Sequence, residues 1–168
     1  RVVIGTALNL VFTITLSYGL SREGLKGRTF LTGFVFFTML FSGGMIPTFI
    51  LVKGVGLIDS RWAMVLPCLI NTWNLLIMRN FFYGIPKSLE EAVIDGANDA
   101  QVLVKIVLPL SKASIATIGL FYAVSHWNAW FDAMLYINTT ALLPMQNILR
   151  NIITAASSIG DLGAEAYN

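Results

Sequence analysis

The sequence predicts an all-α protein, a polytopic helical bundle in a membrane, and its composition, charge spacing and apolar runs each favour this fold class. Of its 168 residues, 56% are hydrophobic and 12% are charged. A soluble domain carries about 25% charged residues, and disorder requires few apolar residues and a high net charge. The net charge of +2 is too small to favour nucleic-acid binding. Soluble and disordered chains are therefore excluded.

Four long runs without Asp, Glu, Lys or Arg define the predicted spans. About 20 helical residues cross a hydrocarbon core of ~30 Å. The spans are predicted at residues 2–21, 29–52, 62–82 and 108–131. The third run is short, but it extends past Arg79 if that side chain reaches the membrane surface. Because backbone groups in lipid must bond within their own segment, we expect the four spans to be helices. Together they are expected to form one transmembrane domain over residues 1–168.

The distribution of Lys and Arg predicts the orientation, because cytoplasmic loops are enriched in them. The first and third connections hold the larger group, which comprises Arg22, Lys26, Arg28, Arg79, Lys87, Lys105 and Lys112. The opposite side holds Arg1, Lys53, Arg61 and Arg150. We therefore expect the first and third connections in the cytoplasm and both ends of this chain outside.

The third connection, predicted as a cytoplasmic loop over residues 84–107, has strong local signals. Ser88 opens an S-x-x-E capping box, which predicts a helix start, and Gly96 permits a sharp turn. Asn98 is a candidate second N-cap with Gln101 three residues later, and Pro109 predicts a kink or boundary before the fourth span. Such an elbow suits docking into a soluble partner, although an interfacial helix without a partner is an equal alternative.

The same loop resembles the EAA signature of ABC importer permeases. Residues 90–97 read Glu-Glu-Ala-Val-Ile-Asp-Gly-Ala, and Ile-Val-Leu-Pro follows at 106–109 with the family's spacing. Glu91 stands where the family has its first Ala, so either Glu90 or Glu91 can be the motif glutamate. The resemblance implies ATPase-coupling roles for Glu90, Glu91, Ala92, Asp95, Gly96, Ala97, Ile106, Leu108 and Pro109.

Other segments resemble the carbohydrate-uptake branch of that family, the maltose-type permeases of the second-subunit kind. They include Ser17–Arg22, Gly56–Ser60, Met78–Phe82 and His126–Asn128. The chain looks similar to the oligosaccharide and aldouronate-type systems of Gram-positive bacteria. Such permeases usually have six spans, so this sequence resembles the middle four, with a helix expected before Val2 and another after Asn168.

The resemblance implies a multi-pass subunit of an ATP-driven sugar importer in the bacterial cell membrane. Its implied partners are a cytoplasmic ATPase dimer, a second homologous permease, an extracytoplasmic sugar-binding protein and the lipid bilayer. The sequence contains no G-x-x-x-x-G-K-[ST] motif. We therefore expect no cofactor and no catalysis in this chain, with ATP and Mg²⁺ on the ATPase.

Polar residues in the spans are candidates for a substrate path, because unpaired amides in lipid are costly and usually face protein or water. The candidates are Asn71, Trp73, Asn74 and Asn128. Hydrogen bonding between helices is the favoured alternative for any single Asn. Ser42–Gly44 interrupts the second span and indicates either a flexible break or close helix packing.

The rest of the chain offers no metal or catalytic site. Cys68 is the single cysteine and His126 the single histidine, for which we expect a position at the membrane interface. Residues 132–168 predict an outer loop with a short helix around Pro144 and a flexible tail from Ser157.

Two other functions stay open from sequence. A secondary, ion-coupled transporter would need ionisable residues at mid-membrane depth, and the spans offer none beyond His126. A non-transporting membrane scaffold would use the elbow for docking only.

Overall fold

A computed structural model describes the backbone of residues 1–86 and 98–165 and the side chains of residues 1–86 and 98–157. All regular elements in this part of the chain are helical, which confirms the all-α prediction. The α-helices are α1 (Val2–Ser21), α2 (Arg28–Leu40), α3 (Met45–Gly54), α4 (Thr72–Tyr83), α5 (Asp99–Val102), α6 (Leu108–Leu110), α7 (Lys112–Asn128), α8 (Phe131–Tyr136) and α9 (Met145–Glu165).

Helix α1 is the centre of the bundle and packs against α4 and α7. Its buried face carries Gly5, Asn9, Thr13 and Ser17, spaced four residues apart. Residues at this spacing lie on one side of a helix. Small and polar side chains let membrane helices approach closely and bond to each other, so this stripe explains the close contact.

The second predicted span is two helices, α2 and α3, which meet at 112°. Gly44 has φ 86°, a conformation that a residue with a Cβ resists, and a Cβ there would meet no atom within 4 Å. Of the two sequence interpretations of Ser42–Gly44, the break is confirmed, and close packing does not explain this glycine.

The helix predicted over residues 62–82 is wrong at its start. Two 3₁₀ turns, Arg61–Met64 and Leu66–Cys68, precede α4. Pro67 lacks a backbone N–H and its ring clashes with an α-helical carbonyl four residues earlier, so a regular helix cannot pass through this stretch. Helix α4 does continue past Arg79 to Tyr83, as the extension predicted.

Residues Asp99–Leu110, from the end of the third connection to the start of the fourth predicted span, form a helical arm that we call the inner arm. Asn98 occupies its N-cap, and Gln101 Oε1 accepts the Asn98 backbone N–H at 3.2 Å, which confirms this helix start. A π-helical turn spans Leu103–Val107 ahead of Pro109. The arm meets α7 at 84°, with Ser111 between them, so the boundary predicted at Pro109 is confirmed within two residues.

The outer segment differs from its prediction in one respect. A 3₁₀ turn, Thr140–Leu142, follows α8, and Pro144 directly precedes α9. Helix α9 has 21 residues and continues to Glu165, so the expectation of a short helix around Pro144 is wrong in its length, and residues 157–165 are helical.

Helix lengths limit what can cross a membrane. Among the described residues, α1 alone is long and apolar enough by itself, and up to three spans result if the bent pairs α2–α3 and inner arm–α7 each count as one. The four spans and their membrane positions stay predictions.

Candidate functional site

A polar cavity of about 540 Å³ lies between α1, α4 and α7. Three of the four predicted substrate-path residues, Asn71, Trp73 and Asn74, line it together. Asn128 does not, because its amide donates to the Val124 carbonyl of its own helix at 3.0 Å. The other lining residues are Arg1, Asn9, Cys68, Ile70, Phe121, Tyr122, Ser125, His126, Ala129 and Asp132.

Hydrogen bonds between helices hold one wall of the polar cavity. Asn71 caps α4, since its Oδ1 accepts the Asn74 N–H at 3.1 Å. The Asn71 N–H donates to the Tyr122 hydroxyl at 3.1 Å, and this hydroxyl also pairs with Thr13 Oγ1 at 2.7 Å. The Asn71 amide therefore caps its own helix, and the bond to α7 comes from its backbone N–H. Trp73, on the same wall, is 60% exposed.

Asn9, an amide within the first predicted span, also lines the polar cavity. Its Nδ2 donates to the Cys68 carbonyl at 3.2 Å, which ties α1 to the 3₁₀ turns. Its buried Oδ1 has no hydrogen-bond partner among the described residues. The signal was present in the sequence, because an amide in the middle of an apolar run usually faces protein or water.

An ion pair lies at the end of the polar cavity that carries the start of α1. Arg1 Nη2 lies 2.7 Å from Asp132 Oδ2, and Arg1 Nη1 donates to the Ala129 carbonyl at 3.0 Å. Beside this pair, His126 is 5% exposed and lies against Gly5, where an added Cβ would be 2.6 Å from His126 Nε2. His126 is thus buried between α1 and α7, and the membrane-interface position expected for it stays a prediction.

The predicted ATPase-coupling residues fall in two groups. Glu90, Glu91, Ala92, Asp95, Gly96 and Ala97 lie outside the described residues. Of the others, Ile106 packs against the core cluster that contains Val107 and Ile118. Leu108 is half-buried and Pro109 is exposed. The inner arm thus presents Pro109 outward while Ile106 anchors the arm to the bundle.

The inner arm is also tied to α1 by contacts that sequence reasoning missed. The Tyr18 hydroxyl donates to the Asp99 carbonyl at 3.1 Å, and the Arg22 guanidinium donates to the same hydroxyl and lies over the Tyr18 ring. Arg79 Nε donates to the Leu20 carbonyl at 3.2 Å, which joins α4 to the same end of α1. The inner arm and α4 are therefore both bonded to the same end of α1.

No group of His, Cys, Asp and Glu in the described part of the chain could hold a metal ion. The polar cavity instead combines amides, a phenol, an indole and an ion pair. Such a lining can bind hydroxyl groups by hydrogen bonds and the apolar faces of a ring by stacking.

Comparisons with known proteins agree with this arrangement. The chain is 55% identical over 162 residues to the polygalacturonan/rhamnogalacturonan transport system permease protein YtcP of Bacillus subtilis (strain 168), covering 95% of this chain and 57% of that protein. It is 52% identical over 151 residues to Protein LplC of the same organism, covering 89% and 51%. No protein-family model matches the chain.

A solved structure has the same fold. It is a bacterial ABC transporter involved in the import of the acidic polysaccharide alginate, and one of its chains superposes with a TM-score of 0.87 at 38% identity. The match covers 89% of this chain and 54% of that one. The chain therefore spans about half the length of the relatives it matches.

Proposed function

We propose that this chain, a homologue of the permeases of sugar-importing ABC transporters, forms part of the translocation path of an ATP-driven oligosaccharide importer. The observation that carries the proposal is the 55% identity to a sugar-transport permease over 95% of the chain. The polar cavity supports it, because its amides and Trp73 suit sugar hydroxyls and ring faces. The location that follows is the bacterial cell membrane, crossed several times.

The energy for transport would come from a separate ATPase dimer that binds ATP and Mg²⁺. The chain itself would supply no catalysis, since its homologues are permease subunits. The segment 84–107, with its EAA-like residues, would contact the ATPase. The Tyr18 contact supports this role, because it bonds the inner arm to α1, the helix that lines the polar cavity.

The other proposed partners are a second homologous permease and an extracytoplasmic sugar-binding protein. The relatives suggest the substrate class. YtcP is named for polygalacturonan and rhamnogalacturonan, and the structural neighbour imports the acidic polysaccharide alginate. We propose that the substrate is an oligosaccharide that contains acidic sugars.

Reconstitution tests this function. The complete permease, assembled with its partner subunits in liposomes that contain ATP, should accumulate a labelled oligogalacturonate, and a protonophore should not reduce the uptake. A complex with a catalytically inactive ATPase is the control and should show no uptake. Uptake that follows a proton gradient without ATP would instead show a secondary transporter, and a stable complex without any uptake would show a scaffold.

A substitution in this chain links the transport to the polar cavity. Trp73→Ala should lower the uptake rate several-fold, because the exposed indole is lost from the cavity wall. Asn128→Ala is the matched control, since Asn128 bonds to its own helix and does not line the cavity. Equal rates for the two variants would contradict the proposed path.

A further inference from the structure

A second cavity lies beside the polar cavity, at the end of the bundle that carries Arg1 and Asp132. We call it the outer groove, and its volume is about 530 Å³. It lies between the start of α1, the turn Arg61–Met64, the end of α7 and residues 141–149. Arg1 and His126 line both cavities, so the outer groove adjoins the polar cavity directly.

The turn Arg61–Met64, which forms one side of the groove, is held in place by a hydrogen bond and by buried side chains. Ser60 Oγ accepts the Trp62 N–H at 3.3 Å and so fixes the start of the turn Arg61–Met64. The two residues that follow Trp62 in this turn, Ala63 and Met64, are 1% and 2% exposed and belong to clusters with residues of α8. Arg61 and Trp62 therefore project from an anchored turn.

Most residues that line the groove are aliphatic, and aromatic and cationic side chains stand among them. Trp62 is 49% exposed and Trp127 is 55% exposed, so both indoles are available to a ligand. Arg61 is exposed and has no ion-pair partner among the described residues, whereas Arg1 is already paired with Asp132. Gln146 adds an amide, and no Asp or Glu of the described chain lines the groove.

This combination has a specific chemical meaning. Indole rings bind the apolar faces of pyranose rings, while a guanidinium binds a carboxylate through two parallel hydrogen bonds. A groove of about 530 Å³ is within the range of small-ligand sites. A carboxylate on the sugar can pair with Arg61 in this way, which a neutral sugar cannot do.

We propose that the outer groove is a binding subsite for an oligosaccharide with a uronate residue, whose carboxylate pairs with Arg61 while Trp62 and Trp127 stack on its sugar rings. The inference rests on the proposed function and adds to it a site in the permease itself. A ligand bound in this subsite would lie beside the Arg1–Asp132 pair, next to the polar cavity.

Equilibrium binding tests the subsite separately from transport. The probe is radiolabelled trigalacturonate, and its fully methyl-esterified form is the neutral counterpart. Both are dialysed against the complete permease complex in nanodiscs, without ATP and without the sugar-binding protein. Arg61→Gln should weaken trigalacturonate binding about tenfold and leave ester binding unchanged, because one charge-assisted pair is lost. Trp62→Ala should weaken the binding of both.

Lys53→Gln is the matched control, because Lys53 is an exposed cation predicted on the same side and does not line the groove. It should bind trigalacturonate like the unmodified complex, and the melting temperatures of all variants should agree. The subsite is disproved if Arg61→Gln leaves trigalacturonate binding unchanged, weakens both probes equally, or has no more effect than Lys53→Gln. Binding that behaves as expected without ATP-driven uptake would leave the subsite in place and contradict the proposed function instead.

Discussion

Helices α1 and α2 come from similarly apolar parts of the sequence, yet they bury very different surfaces. Helix α1 buries Gly5, Asn9, Thr13 and Ser17 against α4 and α7. Helix α2 has no buried residue, and its aromatic side chains are exposed, with Phe30 at 77% and Phe34 at 58%. The packed face of α1 is thus its less hydrophobic one.

This difference in packing is expected for helices that are surrounded by lipid and not by water. Lipid tails are as apolar as Leu or Phe, so burying an apolar side chain between helices gains little, whereas small residues allow close contact and polar ones bond across it. The exposed face of α2 is then suited to lipid or to another membrane subunit. Two predictions test whether the stripe on α1 determines its packing, and a third tests whether the α2–α3 unit is stabilised independently of α1.

The largest effect is expected at Gly5. Gly5→Leu places a side chain where even a Cβ would lie 2.6 Å from the buried His126, so His126 must move or α1 must separate from α7. We expect a loss of about 1–3 kcal/mol in stability, measured as a lower melting temperature of the complete complex in detergent.

Gly33→Leu on α2 is the matched control, because a Cβ at Gly33 meets no atom within 4 Å. It should leave the melting temperature nearly unchanged. The double variant Gly5→Leu/His126→Ala should recover part of the loss by removing the blocking ring. Equal losses at Gly5 and Gly33 would refute the distinction between the two helices.

A smaller effect is expected at Thr13. Thr13→Val removes the 2.7 Å hydrogen bond to the Tyr122 hydroxyl and should cost about 0.6–1.7 kcal/mol, since bonds between membrane helices are modest. Thr15→Val, on the same helix, is the control, because Thr15 is exposed and donates only to the Val11 carbonyl of its own helix. A melting temperature lowered as much by Thr15→Val would show that the threonine itself, not the contact between helices, matters.

The comparison also shows how far the sequence leads. Local signals predicted the cap at Asn98 and the boundary at Pro109 and gave the break at Gly44 as one of two alternatives, because each depends on the conformation or hydrogen bonding of nearby backbone. Asn71 and Trp73 were selected for the polar cavity from their types alone.

Contacts between distant segments could not be predicted in this way. The burial of His126 depends on the absence of a side chain at Gly5, and the link from Tyr18 to Asp99 joins residues that are 81 positions apart. Hydropathy likewise missed the late start of α4 at Thr72, because it measures polarity and does not register that Pro67 interrupts a helix.

The smallest effect is expected at the hydrogen bonds that join the end of the α2–α3 unit to residues 138–139. Helix α1 makes none of these bonds, so they test whether the two regions are stabilised separately. Asp59 follows α3, and its carboxylate accepts hydrogen bonds from Thr139 Oγ1 at 2.5 Å and from the Thr139 and Asn138 N–H groups at 2.9 and 3.0 Å. The Thr139 side chain, followed by its backbone N–H, holds the pKa of Asp59 below its ordinary value of 3.8. Because the folded-state pKa is the lower one, the stabilisation is complete above the unfolded-state pKa and is lost as the pH falls through the folded-state pKa.

Asp59→Asn should therefore speed amide hydrogen exchange in residues 55–60 and 137–139 at pH 7, and this difference from the unmodified protein should shrink as the pH falls below about 4. Asn tolerates the left-handed conformation of Asp59, which has φ 59°, so the variant keeps the local backbone. Exchange in α1 should stay the same in both proteins at every pH. If the substitution loosened α1 as much as residues 55–60, the two regions would unfold as one unit, and the independence inferred from their different packing would be wrong.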